Sequence, residues 1–194
     1  MAHTFKSLLI TSVLTLPSIF AANELDVVAA AGAHSAGVAA VPVAALPGTT
    51  PEGLRKEGNE LFKSGQRDRA AELFEKSANL SDATPIDIRQ AAFGMRGLGS
   101  DFHDRTAALY EKSANHPSAT QLDRKMAVVA LIHLGVDFYA RAVVVCEQIA
   151  NHPDAEPQDR QLAIDEIRTI ANQYVEGSSE RARYHALADA ISAK

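Results

Sequence analysis

The seven histidines are the residues best suited to metal binding or acid–base catalysis. Two of them, His116 and His152, stand 36 residues apart in the same context, each between an asparagine and a proline. Equivalent residues of neighbouring helical units lie about 10 Å apart, whereas both ligands of one zinc ion must lie within about 2.1 Å of it. We interpret these histidines as marking the ends of helices, and the sequence predicts neither a metal site nor a cofactor.

Two pairs of titratable residues could in principle transfer protons: Asp101 with His103, and Asp165 with Glu166. Such pairs are usually solvated groups on loops or helix faces, and no serine, histidine and aspartate set is recognisable. We therefore expect a protein that is not an enzyme. An exported enzyme whose site the sequence does not display stays open as an alternative.

Composition and charge exclude several classes of protein. The 194 residues include 24 acidic and 19 basic side chains, which gives a net charge of −5 and a pI near 5.8. No broad basic surface is available to neutralise a phosphate backbone, so nucleic-acid binding is disfavoured. Apolar residues make up 46% of the chain, which is near the globular norm and excludes disordered, collagen-like and disulfide-rich classes.

The first 22 residues have the layout of a secretory signal peptide. A short, weakly basic start is followed by an uncharged apolar run over residues 7–20 and by Ala21 and Ala22. That run of about 14 residues is shorter than the roughly 20 that span a bilayer as a helix. The sequence predicts cleavage near residue 22, or near residues 28–30, and hence a periplasmic or secreted protein.

Residues 23–50 are rich in alanine, valine, glycine and proline, with few large side chains to pack. This composition is typical of a flexible linker. A weak membrane segment over residues 27–46 is the alternative, but alanine and glycine contribute little transfer energy. We expect no integral membrane segment after cleavage.

A repeat of fixed period organises the rest of the chain. Three similar segments begin at Arg69, Arg105 and Arg141, each 36 residues after the last, and matching aspartates and alanines recur at the same spacing. A period of this length indicates a stack of similar helical units. Apolar residues at helical spacing and prolines at helix starts divide each unit into two helices. The predicted helices cover residues 51–64, 67–79, 86–98, 103–115, 121–134, 138–151, 157–174 and 179–192.

The opening unit, residues 54–77, resembles a tetratricopeptide repeat (TPR). Gly58 is the small residue that lets two helices approach, Gly65 makes the turn, and Ala70, Phe74 and Ser77 pack the second helix. Later units are two residues longer than the common form and are also similar to Sel-type relatives. The resemblance implies an all-α, right-handed solenoid of about four helix pairs over residues 51–194, with the last helix as a cap.

Cys146 occupies the repeat position that holds Phe74 and Tyr110 in the earlier units. It is the only cysteine, so it cannot form an internal disulfide. Its apolar neighbours at residues 143–145 indicate a thiol buried in a helix interface.

In TPR proteins the first helices of successive units line a groove, and the resemblance places a basic row there beside an apolar one. We expect the basic row, Arg55, Arg89 and Lys125, to be exposed and to bind an extended peptide with an acidic group or free carboxylate. The alternative is a solvated helix face beside ordinary packing between units. The full set of groove residues is Arg55, Asn59, Phe62, Arg89, Phe93, Arg96, Lys125, Val129, Ile132 and His133.

The sequence as a whole predicts an exported, non-enzymatic module that binds a protein or peptide. A structural or assembly component of a cell-envelope complex remains a second possibility.

Overall fold

The computed structural model describes residues 49–193. The predicted signal peptide lies outside these residues, as does the predicted linker apart from Thr49 and Thr50, and both stay predictions.

Within the described residues the chain forms eight α-helices and two short 3-10 helices, and no strand. This confirms the all-α class, and the predicted helix boundaries agree to within three residues. The helices are α1 (Pro51–Lys63), α2 (Arg67–Ala78), α3 (Pro85–Arg96), α4 (His103–Ala114), α5 (Gln121–Leu134), α6 (Tyr139–Asn151), α7 (Pro157–Ala171) and α8 (Ser179–Ser192). The 3-10 helices, Ser100–Phe102 and Val136–Phe138, lead into α4 and α6.

The starts of α3 and α5 are set by reciprocal side-chain caps. Thr84 and Thr120 each accept a hydrogen bond from the amide of the third helical residue, Asp87 or Asp123, whose carboxylate accepts one in return from the capping residue. Such reciprocal caps satisfy amides that the first turn leaves unpaired. After the ends of α3 and α5, Gly99 and Gly135 adopt φ values of +117° and +118°. Residues that carry a side chain rarely adopt such values.

Each helix packs against the next one in the chain, and α3 also contacts α1 and α5, as α4 contacts α6. By these contacts and by ion pairs between side chains, α1, α3, α5 and α7 follow one another in one row, and α2, α4 and α6 in a second. No helix among residues 49–193 combines the length and hydropathy needed to cross a membrane.

Phe74 shows how the two rows meet. A Cβ atom added at Gly58 would lie 3.0 Å from the Phe74 ring, and one added at Gly94 would lie 2.7 Å from it. The ring of α2 thus fills a space that only glycine leaves open on both α1 and α3.

Cys146 is buried, as predicted, and burial raises the pKa of its thiol, with a smaller contribution from the charge of Glu166. Glu166 stands 36 residues after Ala130 and 72 after Gly94, at the small-residue position of the repeat. The fourth unit therefore carries a large side chain on α7 where the third unit carries a small one on α5.

Candidate functional site

Three ion pairs join successive odd-numbered helices. Arg55 Nη1 lies 2.8 Å from Asp87 Oδ1, Arg89 Nη1 lies 2.9 Å from Asp123 Oδ1, and Lys125 Nζ lies 2.6 Å from Asp159 Oδ1. In each pair the acid is the third residue of the following odd helix. We call these three pairs the aspartate ladder.

The expectation that Arg55, Arg89 and Lys125 are exposed is wrong. Their side chains are only 12%, 19% and 27% exposed, and each is held by an aspartate. The physical reason is that the capping aspartate uses one carboxylate oxygen for its own helix start and presents the other to the preceding odd-numbered helix. A peptide carboxylate would have to displace that aspartate, so binding by these three residues stays a prediction.

Two aspartates of the ladder, Asp87 and Asp159, have lowered pKa values. Desolvation opposes ionisation of Asp87, but hydrogen bonds from Thr84 and Arg55 outweigh it and lower its pKa. The hydrogen bond from Lys125, together with the Glu156 amide, lowers the pKa of Asp159. Each pair is therefore close to neutral at pH 7, which removes most of the positive charge expected on this surface.

A second set of ion pairs joins the even-numbered helices and was not predicted from the sequence. Arg105 Nε and Nη2 lie 2.7 and 2.8 Å from the two Glu75 carboxylate oxygens, and Arg141 makes the same two contacts with Glu111 at 2.6 and 2.7 Å. The hydrogen bonds from Arg105 lower the pKa of Glu75. The signal in the sequence was an arginine that follows a glutamate by 30 residues in two successive units.

Four large apolar side chains remain exposed on α1, α3 and α5: Phe62 (37%), Ile86 (51%), Phe93 (51%) and Leu122 (63%). We call the surface that carries them the odd-helix face. Ile86 and Leu122 were not among the predicted groove residues. Two features of the sequence could have identified them. Each lies three residues before a residue of the basic row, Arg89 or Lys125, and so on the same side of its helix, and the two are 36 residues apart.

The other predicted groove residues differ in their environment. Asn59 and His133 are exposed, while Val129 and Ile132 are partly buried, and Ile132 packs against the core. His133 Nδ1 donates to the Val129 carbonyl oxygen at 2.7 Å. A shallow cleft of about 530 Å³ opens along α1 and includes Asn59 and Phe62 in its lining.

Arg96 lies on the odd-helix face beside Phe93. Its guanidinium carbon is 5.0 Å from the centre of the Phe93 ring, a cation–π contact. A Cβ atom added at Gly97 would lie 4.0 Å from Phe62 Cε1, so the Phe62 ring of α1 reaches the residue that follows Arg96. Phe93 and Arg96 are thus in contact, and Phe62 lies close to the end of α3; a binding role for these residues stays a prediction.

A second cleft, of about 350 Å³, lies where α4 ends beside α6. One unit earlier, Lys112 Nζ donates to the Ala78 carbonyl and to Asn79 Oδ1 at 2.7 and 2.5 Å. Gln148 takes the place of that lysine 36 residues later, and its Oε1 atom is buried without a hydrogen-bond partner. The cleft therefore lies where the contact that Lys112 makes with the end of α2 has no equivalent between Gln148 and the end of α4.

Among residues 49–193, no three histidine, cysteine, aspartate or glutamate side chains are grouped so that they could hold a metal ion. Comparison of the chain with models of known families, with curated proteins and with solved structures gives no match. Any inference about function therefore depends on the exposed side chains and contacts of the odd-helix face.

Proposed function

We propose that the chain is a TPR-like, right-handed helical solenoid that binds a protein or an extended peptide on its odd-helix face and performs no catalysis. Two features support the solenoid: helices contact near neighbours in the chain, and the same ion pairs recur from one unit to the next. In such repeat proteins each unit contacts only its neighbours.

The exposed apolar side chains of the odd-helix face carry the proposal. Single exposed apolar residues are common, but large ones grouped on neighbouring helices mark binding surfaces. Phe62, Ile86, Phe93 and Leu122 come from three helices that contact one another in order. The aspartate ladder ties these helices together, so the surface is preorganised and little ordering is required when a ligand binds.

Placement of this module outside the cytoplasm is part of the proposal and is supported by the signal-peptide pattern of residues 1–22. A role as an assembly component of a cell-envelope complex would instead use the even-numbered helices. Val144 on α6 is an exposed, large apolar side chain in that row. A single valine is weaker support than four grouped side chains, so we favour ligand binding on the odd-helix face.

Selection from a random peptide library, displayed on phage and panned against the purified chain, tests the proposal. The enriched peptide is then titrated against the wild type, against Phe93→Asp, and against Val144→Asp as a control at a similarly exposed site on the other row. Loss of a buried phenylalanine contact is worth about 1.5–3 kcal/mol, so Phe93→Asp should weaken binding by about 10-fold to 100-fold. Val144→Asp should bind like the wild type.

The opposite pattern, with binding lost in Val144→Asp and kept in Phe93→Asp, would favour the assembly role. Failure to enrich any peptide that binds through the odd-helix face would contradict the proposed function. Far-UV circular dichroism and melting curves of both variants show whether any loss of binding reflects loss of folding.

A further inference from the structure

Most cations on the odd-numbered helices α1, α3 and α5 already have a carboxylate partner. Besides the aspartate ladder, Lys56 pairs with Glu52 at 2.6 Å and Lys63 with Glu60 at 2.7 Å. Within the described part of the chain, two arginines of these helices make neither an ion pair nor a hydrogen bond through their side chains: Arg96 and Arg124. Arg124 lines the cleft between the end of α4 and α6, whereas Arg96 contacts the exposed Phe93 of the odd-helix face.

Arg96 is held in a position suited to bind an anion. The side chain is partly buried and its guanidinium lies over the Phe93 ring. Stacking on a ring leaves the N–H groups at the edge of the guanidinium free to donate, and two of them can bind one carboxylate. Because part of its freedom is already lost, less entropy is lost when a ligand carboxylate binds.

The surroundings of Arg96 indicate what accompanies that carboxylate. Phe62 of α1 lies close to Gly97, the residue that follows Arg96, and Ile86 and Leu122 are exposed on α3 and α5. Apolar side chains are therefore exposed on both helices that flank α3, which suits a chain that continues in both directions past the acidic group. A terminal carboxylate would leave one of these two helices without a contact.

We propose that the odd-helix face binds a segment of a partner protein in which an internal aspartate or glutamate, flanked by large apolar residues, pairs with Arg96. This inference rests on the proposed function and specifies its ligand. The acidic group that the sequence assigned to the basic row is recognised by Arg96 instead, since Arg55, Arg89 and Lys125 are neutralised within the fold.

The test uses fluorescent peptide pools of the form acetyl-XXLZLXX-amide, where X is an equal mixture of alanine, serine, glutamine and valine. The residue Z is glutamate, glutamine or lysine in three separate pools, and binding to the full chain is measured by fluorescence anisotropy. A charge-assisted hydrogen bond contributes about 1.5–3 kcal/mol, so the glutamate pool should bind at least about 10-fold more tightly than the glutamine pool. That preference should decrease as salt rises.

Substitution of Arg96 should change the preference and not the folding. Arg96→Gln should bind the glutamate and glutamine pools equally, and Arg96→Glu should prefer the lysine pool. Arg183 on α8 provides the matched control, because it also lies over an aromatic ring, that of Tyr184, at 5.9 Å. Arg183→Gln should keep the wild-type preference for glutamate.

Two results would overturn the inference and leave the proposed function standing. One is equal binding of the glutamate and glutamine pools by the wild type, with Phe93→Asp still abolishing the binding of both. The other is tighter binding of a fourth pool, acetyl-XXXXL with a free carboxyl terminus, which would assign Arg96 to terminal carboxylates. Binding that is insensitive to Phe93→Asp, or no binding of any pool, would contradict the proposed function itself.

Discussion

The Asp123→Ala substitution probes the centre of the aspartate ladder. Asp123 accepts hydrogen bonds from the Thr120 amide at 3.0 Å, from the Thr120 hydroxyl at 2.7 Å and from Arg89 at 2.9 Å. Its side chain is only 7% exposed, so water cannot easily replace these partners. Alanine removes half of a capping box and leaves the Arg89 guanidinium partly buried without its partner.

The expected loss follows from these contacts. A helix cap is worth about 0.5–2 kcal/mol and a hydrogen bond to a charged group about 1.5–3 kcal/mol. The Arg89 side chain is 19% exposed and can recover part of its hydration, so the second figure is reduced. We expect Asp123→Ala to lower the free energy of unfolding by about 2–4 kcal/mol, which corresponds to a decrease of about 5–15 °C in Tm.

Urea unfolding followed by circular dichroism at 222 nm measures this loss. Asp123→Asn, which keeps an oxygen acceptor but removes the charge, should lose less than Asp123→Ala. The exposed Asp82 supplies the control, and Asp82→Ala should change stability by no more than about 0.5 kcal/mol. If Asp123→Ala is as stable as Asp82→Ala, the ladder does not hold the helices together and the reasoning is wrong.

Three further predictions concern the core, the thiol and acid stability. Gly94→Ala should destabilise the chain by about 1–3 kcal/mol because its Cβ would overlap the Phe74 ring. Adding Phe74→Leu should recover part of that loss. An unchanged Tm in Gly94→Ala would refute the close packing. Cys146 should not react with a thiol reagent such as DTNB until the chain unfolds, and rapid labelling of the native chain would contradict its burial. Asp87 and Asp159 have lower pKa values in the folded chain than in the unfolded one, so the stability they contribute is present above about pH 4 and is lost as the pH falls further. A Tm that does not decrease between about pH 5 and pH 2 would contradict this linkage.

The helices could be predicted because their signals are local. Thr84 followed by Pro85 marks a helix start within two residues, and apolar spacing shows which side is buried. Cys146 is buried, as its repeat position and apolar neighbours predicted. Each of these inferences needs only one unit and its alignment with the next.

The state of the basic row could not be predicted in the same way. Arg89 and Asp123 are 34 residues apart, and the local sequence gives Asp123 a sufficient role as a capping residue. Whether the second carboxylate oxygen of Asp123 reaches Arg89 depends on how closely α3 and α5 pack. That distance is a property of the assembled fold. The recurrence of the aspartate every 36 residues was visible, but its partner was not.

The exposed apolar side chains posed a related difficulty. Ile86 is exposed and Ile88, two residues later, is fully buried, although both are isoleucines in the first turns of α3. Apolar character alone cannot separate a core residue from a binding residue. The difference lies in which side of α3 meets α2 and α4, and this is set by packing between helices.

The most direct test of ligand binding at the odd-helix face is a chemical-shift map. The peptide enriched by selection is added to the ¹⁵N-labelled chain, and amide shifts are followed in two-dimensional NMR spectra. The largest changes should cluster on α1, α3 and α5, around Phe62, Ile86, Phe93, Arg96 and Leu122. Changes that instead cluster on the even-numbered helices around Val144, with α1, α3 and α5 unaffected, would contradict the claim.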